Sequence, residues 1–211
     1  MRIKTVIISI LLSFHFIMAF TQNDLNNLVF TERELEIIYS GDESKPLRIL
    51  QTNDIVDSVI LRMQSTDICI TDSVFLDESM QLFIKRLRVT LNESGGVGIA
   101  APQTGILKNI FLFTKIDMPG KNVQIAINPK IANHAAEKVC FEQDGCLSIP
   151  DITANSLRFP WIEVEYFDEE GNYRKERLEG YSRDGDFTAI IFQHEFDHLM
   201  GILFIDKICK K

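Results

Sequence analysis

Apolar residues recur at three- and four-residue spacing in the segment that follows Asp77. They are Met80, Phe83, Ile84, Leu87 and Leu91. This spacing predicts an amphipathic helix over Asp77–Asn92 with Asp77 as its N-cap, and Ser94-Gly95-Gly96 would end it. A short helix is predicted around Glu32–Tyr39. A final helix is predicted over Thr188–Met200, where Gly201 is placed to stop it.

Short runs rich in β-branched and aromatic residues predict strands between the two longer helices. These runs are Asn109–Phe113, Val123–Ile127, Trp161–Phe167 and Tyr173–Leu178. The turn residues of Asp168–Asn172 predict a hairpin that joins the last two. Because strands and helices do not alternate regularly, a doubly wound parallel sheet is disfavoured, and the pattern predicts a single α+β domain.

The first 23 residues follow a different pattern. Arg2 and Lys4 precede an uncharged run over residues 5–23, whose apolar part is Val6–Phe20. A basic start before an apolar run is typical of a secretory signal, and the run also approaches the length of a membrane-spanning helix. We therefore predict a signal-like or membrane-anchor segment over residues 1–21 and an N-terminal extension over 22–45.

This N-terminus favours export, to the periplasm or to a membrane-anchored position, with a cytoplasmic location as the alternative. Membrane contact is expected only through residues 5–23.

The net charge of −8, from 22 Lys and Arg against 30 Asp and Glu, argues against nucleic-acid binding. The 211 residues can bury a core of their own, and we expect a monomer. Four cysteines are too few for a disulfide-built scaffold, and their pairing does not follow from the sequence.

The predicted last helix contains His194-Glu195-Phe196-Asp197-His198, an HExxH pattern. Residues at i and i+4 share one face of a helix, so both imidazoles can bind one metal ion while Glu195 lies beside the water that the metal activates. A hydrolytic metal needs a third protein ligand. Phe204 stands where a metzincin has its third histidine, and no Glu follows His198. The third ligand must therefore come from upstream, and the candidates are Cys140, Cys146, His134 or an acidic side chain.

Two further sequence blocks contain candidate catalytic or binding residues. The small residues of GVGIAAPQ, residues 96–103, would let another chain approach the backbone, and the amide of Gln103 could stabilise a carbonyl oxygen that becomes negative. No Gly-Lys-Ser/Thr follows this block, which disfavours a nucleotide-binding loop. In the second block Gly145 precedes Cys146, and glycine lets the backbone bend closely around a metal.

Taken together, three motifs resemble the peptide deformylase family. They are GVGIAAPQ at 96–103, DGCLS at 144–148 and QHEFDHLMG at 193–201, and the likeness runs from about Pro46 to Lys207. The resemblance implies a catalytic domain over 46–211, a compact α+β fold of mostly antiparallel strands around a central HExxH helix. It implies a metallohydrolase that releases formate from N-formylmethionyl peptides through a water activated by one divalent ion per chain. That ion would be Fe²⁺, with Zn²⁺, Ni²⁺ or Co²⁺ able to substitute.

The resemblance also assigns roles to individual residues. The metal ligands would be Cys146, His194 and His198. Glu195 would act as general base and then as general acid, while Gln103 and the backbone N–H of Leu147 would stabilise the oxyanion. The peptide would lie extended, like an added strand, in a groove. The substrate-binding positions of this groove would be Gly98, Ile99 and Gly145.

The sequence departs from the family pattern in three places. Asp144 stands where the cysteine block usually has Glu, which puts the support of that loop in question. Residues 181–188 look longer than usual, and their composition favours a surface turn over a change in the pocket. An exported member would meet other substrates, and zinc would resist an oxidising compartment better than ferrous iron. Two alternatives stay open: an amidohydrolase or peptidase acting on another N-blocked or extracellular peptide, and a non-enzymatic module that captures formylated peptides or metal.

Overall fold

The computed structural model describes residues 29–71, 73–120 and 122–210. The predicted signal-like segment 1–21 and residues 22–28 lie outside this range. Within the described residues, no helix has both the length and the apolar character needed to cross a membrane. The helices are α1 (Glu32–Ile38), α2 (Ile55–Leu61), α3 (Glu78–Ser94) and α4 (Thr188–Leu199). The strands are β1 (Gly98–Ala100), β2 (Ile110–Lys115), β3 (Asn122–His134), β4 (Val139–Cys146), β5 (Ile149–Arg158), β6 (Trp161–Phe167) and β7 (Tyr173–Glu179).

Helix α3 confirms the predicted amphipathic helix and both of its ends. The carboxylate of Asp77 accepts a hydrogen bond from the N–H of Met80 at 3.0 Å, as an N-cap does. Gly95 ends the helix with φ +67°, a left-handed conformation that glycine adopts without strain. The predicted apolar stripe faces the core, where Met80, Phe83 and Leu87 are fully buried.

Two antiparallel sheets carry the strands. Five strands form one sheet in the order β1-β2-β3-β6-β7, and β4 pairs with β5 in a separate hairpin. The predicted hairpin around Asp168–Asn172 joins β6 to β7, and all strand pairs are antiparallel, as expected for an α+β fold. The sequence patterns did not predict α2, β1 or the β4–β5 hairpin. Register shifts between Phe141 and Asp144 disturb the two-residue alternation that would have marked β4.

Helix α4 lies against the inner face of the five-stranded sheet. The ring of Phe192 packs edge-to-face on Phe111 and Phe113, with centroids 4.8 and 5.2 Å apart. Nearly all residues of α4 are buried, including the polar residues of the HExxH pattern. The expected arrangement of antiparallel strands around a central HExxH helix is therefore confirmed.

Residues 29–45, the described part of the predicted extension, pack onto the rest of the fold. Phe30 and Ile38 belong to the same buried cluster as the apolar face of α3. Arg86 of α3, which is 3% exposed, donates hydrogen bonds to the carbonyls of Ile38 and Pro46 at 2.8 and 3.0 Å. This guanidinium satisfies backbone groups that would otherwise be buried without partners.

The C-terminal residues are tied to the β4–β5 hairpin. Cys140 and Cys209 form a disulfide, with Cα atoms 6.0 Å apart, whereas Cys69 and Cys146 are free thiols. The N–H of Cys209 also donates to the carbonyl of Asn155 at 2.9 Å. The end of the chain thereby braces the hairpin that carries Cys146.

Replacing Gly201 by Ala should destabilise the protein more than replacing Gly95 by Ala. Both glycines have φ near +67°, but an added Cβ at Gly201 would overlap the carbonyl oxygen of Arg62, and one at Gly95 would meet nothing within 4 Å. We expect G95A to lower the free energy of unfolding by about 1 kcal/mol, the cost of the left-handed backbone. We expect G201A to lower it by roughly 3 kcal/mol, because a backbone atom must also move. Urea denaturation measures both, and equal losses would contradict this account.

Candidate metal centre and pocket

One thiol and two imidazoles meet where the β4–β5 hairpin touches α4. The ligand atoms of Cys146, His194 and His198 all lie within 4.8 Å of one another. The Sγ of Cys146 is 3.2 Å from the Nε2 of His198, and the two imidazole rings are 5.1 Å apart on one face of the helix. A thiolate with two imidazoles is a donor set that suits Fe²⁺ or Zn²⁺ better than Mg²⁺ or Ca²⁺.

The structure distinguishes among the candidates for the third metal ligand that the sequence left open. Cys140 is bound in the disulfide with Cys209. The ring of His134 stacks on Phe159 with centroids 3.9 Å apart, outside the cluster. Of the candidates named from the sequence, only Cys146 comes together with both histidines.

Asp144 orients the first histidine of the pattern. Its Oδ1 lies 2.9 Å from the Nδ1 of His194, and its Oδ2 accepts hydrogen bonds from Arg158 at 2.9 Å and from the hydroxyl of Ser156 at 2.6 Å. A carboxylate on one ring nitrogen fixes the imidazole and directs the other nitrogen towards a metal. Aspartate is shorter than the glutamate usual in the family, yet it reaches all three partners.

Arg158 holds this arrangement together from within the protein. Its side chain is 1% exposed and forms ion pairs with Asp144 of β4 and Asp197 of α4. Burial by itself would raise the pKa of Asp144, but His194 and Arg158 hold that pKa well below its usual range. Asp144 is therefore ionised at neutral pH.

Glu195 has the opposite environment from Asp144. It is 4% exposed, and burial raises its pKa to about 7. Its Oε2 has no hydrogen-bond partner among the described residues. A carboxyl group with a pKa near neutrality can both accept and release a proton, and two carboxyl groups with such divergent pKa values are typical of catalytic sites.

The amide of Gln103 faces the cluster in a fixed orientation. Its Oε1 accepts a hydrogen bond from the N–H of Ala100 at 2.8 Å, and its Nε2 donates to the hydroxyl of Ser148 at 3.1 Å. The same Nε2 lies 3.6 Å from the Sγ of Cys146. Leu147 occupies the two-residue turn between β4 and β5 and also lines the pocket.

A pocket of about 710 Å³ opens beside these groups. One wall is the chain from Gly95 to Gly98, the other is the hairpin from Cys146 to Thr153, and α4 contributes the side chains of Ile190 and Ile191. Of the predicted substrate-binding residues, Gly98 and Gly145 line this pocket. Ile99 does not, because its side chain is fully buried in the core. A Cβ at Gly98 would overlap the carboxylate of Glu195, so this position needs glycine.

Residues 181–188 form the predicted turn but also shape the pocket. The N–H of Ser182 donates to the carbonyl of Asp186 at 3.0 Å, which closes the turn. The side chains of Arg183 and Phe187 then line the pocket, so the interpretation as a surface turn alone was wrong. The sequence shows that these residues favour a turn. Whether the turn faces the pocket depends on how it packs against the β4–β5 hairpin.

Sequence reasoning missed Arg158 and the supporting role of Asp197. Asp197 lies inside the HExxH pattern, but its burial against a distant arginine leaves no local signal. Arg158 is the last residue of β5, a strand that the sequence did not predict.

An antiparallel α+β fold that joins an HExxH helix to a cysteine from a neighbouring hairpin defines a metallohydrolase-type protein. A model of the polypeptide deformylase family matches residues 46–211. The chain belongs to this family and is therefore a hydrolase of the peptide deformylase type. Enzymes of this family are metal-dependent and remove the N-formyl group of nascent peptides.

Individual relatives agree with this assignment. The peptide deformylase of Thermotoga maritima is 41% identical over 132 residues, which cover 63% of this chain and 74% of the relative. The crystal structure from that organism has a TM-score of 0.65 at 36% identity, over 78% of this chain and 99% of the other. A class I type b peptide deformylase from Acinetobacter baumannii, bound to Met-Ala-Ser, has a TM-score of 0.67 at 29% identity, over 78% and 99% of the two chains.

Replacing Arg158 by Ala should strongly destabilise the fold, because two buried carboxylates lose their shared partner. We expect a loss of about 3–5 kcal/mol in the free energy of unfolding. The matched control is Lys85, whose ion pair with Glu43 is exposed, so that K85A should cost at most about 1 kcal/mol. Urea denaturation of both variants tests the difference. A loss for R158A as small as that for K85A would show that the buried pairs do not hold the hairpin to α4.

Proposed function

We propose that this protein hydrolyses the formyl amide of N-formylmethionyl peptides and releases formate. The observation that carries the proposal is the convergence of four groups on one pocket. They are the Cys146, His194 and His198 cluster, the unpartnered carboxylate of Glu195, the amide of Gln103 and the strand edge at Gly98. Each supplies a different requirement of amide hydrolysis.

One divalent ion per chain would be bound by Cys146, His194 and His198. Burial lowers the pKa of His198, which favours the neutral ring that a metal ligand needs, and the N–H of Ser148 lies 3.4 Å from the Sγ of Cys146. When bound, such an ion would supply Lewis acidity and would lower the pKa of a water molecule in the site. Fe²⁺ is the expected metal, and Zn²⁺, Ni²⁺ or Co²⁺ could replace it.

Glu195 would transfer a proton from the attacking water to the leaving amine. As a base it takes a proton from the attacking water, and as an acid it gives that proton to the amine nitrogen when the bond between the formyl carbon and this nitrogen breaks. The Nε2 of Gln103 and the N–H of Leu147 would donate hydrogen bonds to the carbonyl oxygen as it becomes negative. The products are formate and a peptide with a free N-terminus.

The peptide would lie extended along β1. This strand is at the edge of the five-stranded sheet, and the residues before it, Gly95–Val97, line the pocket. An exposed strand edge offers backbone hydrogen bonds to an added peptide strand. The apolar side chains of Phe141, Ile190 and Ile191 would surround the first side chain of the substrate. The A. baumannii neighbour was solved with Met-Ala-Ser bound, which supports a short peptide with an N-terminal methionine as the ligand.

We further propose that the protein acts outside the reducing cytoplasm. The disulfide between Cys140 and Cys209 supports this location, because disulfides persist in oxidising compartments. The signal-like pattern of residues 1–21 has the same implication. In such a compartment Zn²⁺, which has no redox chemistry, would keep the site active longer than Fe²⁺.

Replacing Glu195 by Gln should leave the metal bound and abolish turnover, because the amide cannot accept the proton of the attacking water. We expect kcat to fall by at least about 10²-fold. The measurement is formate release from an N-formyl-Met peptide, together with the metal content of each protein. An N-acetyl-Met peptide of the same sequence is the matched substrate, which the wild-type enzyme should cleave poorly. Full activity of E195Q would contradict the mechanism, and equal cleavage of both peptides would contradict the proposed substrate.

Replacing Cys146 by Ser should remove the bound metal, whereas replacing Cys69 by Ser should not. Both thiols are free, but only Cys146 lies with the two histidines, and Cys69 is exposed. We expect about one metal ion per chain in the wild type and in C69S, and substoichiometric metal in C146S. Elemental analysis after gel filtration measures this content. Stoichiometric metal in C146S would exclude the cysteine as a ligand.

A further inference from the structure

Arg183 places a cationic group in the wall of an otherwise apolar part of the pocket. It is the only Lys or Arg among the described residues that line the pocket. Its guanidinium lies over the rings of Phe141 and Phe187, 5.3 and 5.4 Å from their centroids. Its Nη2 also donates to the carbonyl of Gln143. The charge is therefore held in one position, although the side chain is exposed.

The position of Arg183 along the pocket follows from the helix that it adjoins. Phe187 precedes His194 by seven residues, or roughly 10 Å along the axis of α4. Ile190 and Ile191 lie between them and also line the pocket. The guanidinium, 5.4 Å from the centroid of the Phe187 ring, thus adjoins the N-terminal end of α4, whereas His194 and His198 lie in its C-terminal half.

The length of the first substrate side chain is comparable with this distance. In an extended methionine residue the terminal methyl carbon is about 8 Å from the formyl carbon, because each of the six bonds between them advances roughly 1.3 Å along an extended chain. With the formyl carbon at the cluster, the side chain would run past Ile190 and Ile191, and its end would come near Arg183. The N–H groups of a guanidinium are donors only, so they favour an acceptor atom at that end.

We propose that Arg183 recognises an acceptor oxygen near the tip of the first side chain, and that formyl-methionine sulfoxide peptides are substrates of this enzyme. This inference rests on the proposed deformylase function. Methionine becomes its sulfoxide when a peroxide transfers one oxygen atom to the sulfur and leaves as water or an alcohol. The Cys140–Cys209 disulfide is consistent with surroundings in which such substrates arise.

A neutral acceptor fits this pocket better than an anionic side chain does. Asp151 and Glu195 also line the pocket, so a carboxylate on the substrate would meet like charges as well as the guanidinium. A sulfoxide oxygen accepts the hydrogen bond without adding a charge. Hydrogen bonds that involve one charged group contribute enough to change binding by about tenfold or more.

The test compares three peptides that differ only in the first side chain: formyl-Met-Ala-Ser, its sulfoxide and formyl-norleucine-Ala-Ser. The metal-loaded full chain is assayed for formate release, and the readout is kcat/KM for the sulfoxide divided by kcat/KM for norleucine. We expect this ratio to fall about tenfold in R183L, which keeps an apolar cover on the two rings but has no donor. R183K should retain part of the ratio, because the ammonium keeps the charge without the planar fork.

Arg177 provides the matched control. Its guanidinium lies 3.9 Å from the centroid of the Trp161 ring, outside the pocket, so R177L should keep the wild-type ratio. A ratio in R183L equal to that of the wild type would overturn the role of Arg183, as would a wild-type enzyme that cleaves the norleucine peptide but not the sulfoxide. If none of the three peptides released formate, the proposed deformylase function itself would fail, and this inference would fail with it.

Discussion

The geometry of the site depends on one buried guanidinium. Arg158, at the end of β5, pairs with Asp144 of the hairpin and with Asp197 of the helix. The hairpin supplies Cys146 and the helix supplies both histidines, so this arginine joins the two elements whose side chains form the cluster. A buried ion pair often contributes little to stability compared with apolar packing, but an arrangement that separates its partners leaves a buried charge unpaired and is strongly disfavoured. For a cluster whose three side chains lie within a few ångströms of one another, that restriction keeps the geometry fixed.

The two carboxyl groups in the site have different surroundings and therefore different protonation. Asp144 contacts Arg158 and His194 and is held ionised, whereas Glu195 is buried without a hydrogen-bond partner for its Oε2 and has a pKa near 7. One carboxylate can therefore orient a histidine permanently while the other exchanges a proton. Gly98 contributes to this division, because only a residue without a side chain lets β1 pass so close to Glu195.

The periphery of the domain supports this centre from two directions. Residues 29–45 pack on α3 through Phe30, Ile38 and the buried Arg86, so the described part of the predicted extension belongs to the core. At the other end of the chain, Cys209 is bound to β4, the strand that carries Cys146. The segment that includes Arg183 adds a cation to the pocket. Arg183, Cys146 and His194 thus line one cavity.

The sequence by itself determined the parts of the protein that depend on local spacing. The apolar period of α3, its Asp77 cap, the hairpin before Tyr173 and the HExxH face of α4 all follow from residues within a few positions of one another. The ordered motifs also sufficed to indicate the family. Tertiary structure alone selected Cys146 over His134 and Cys140, paired Cys140 with Cys209, buried Arg158 between two aspartates and turned Arg183 towards the pocket. These features depend on contacts between residues far apart in the chain, and helical or strand periodicity carries no information about which distant side chains packing will bring together.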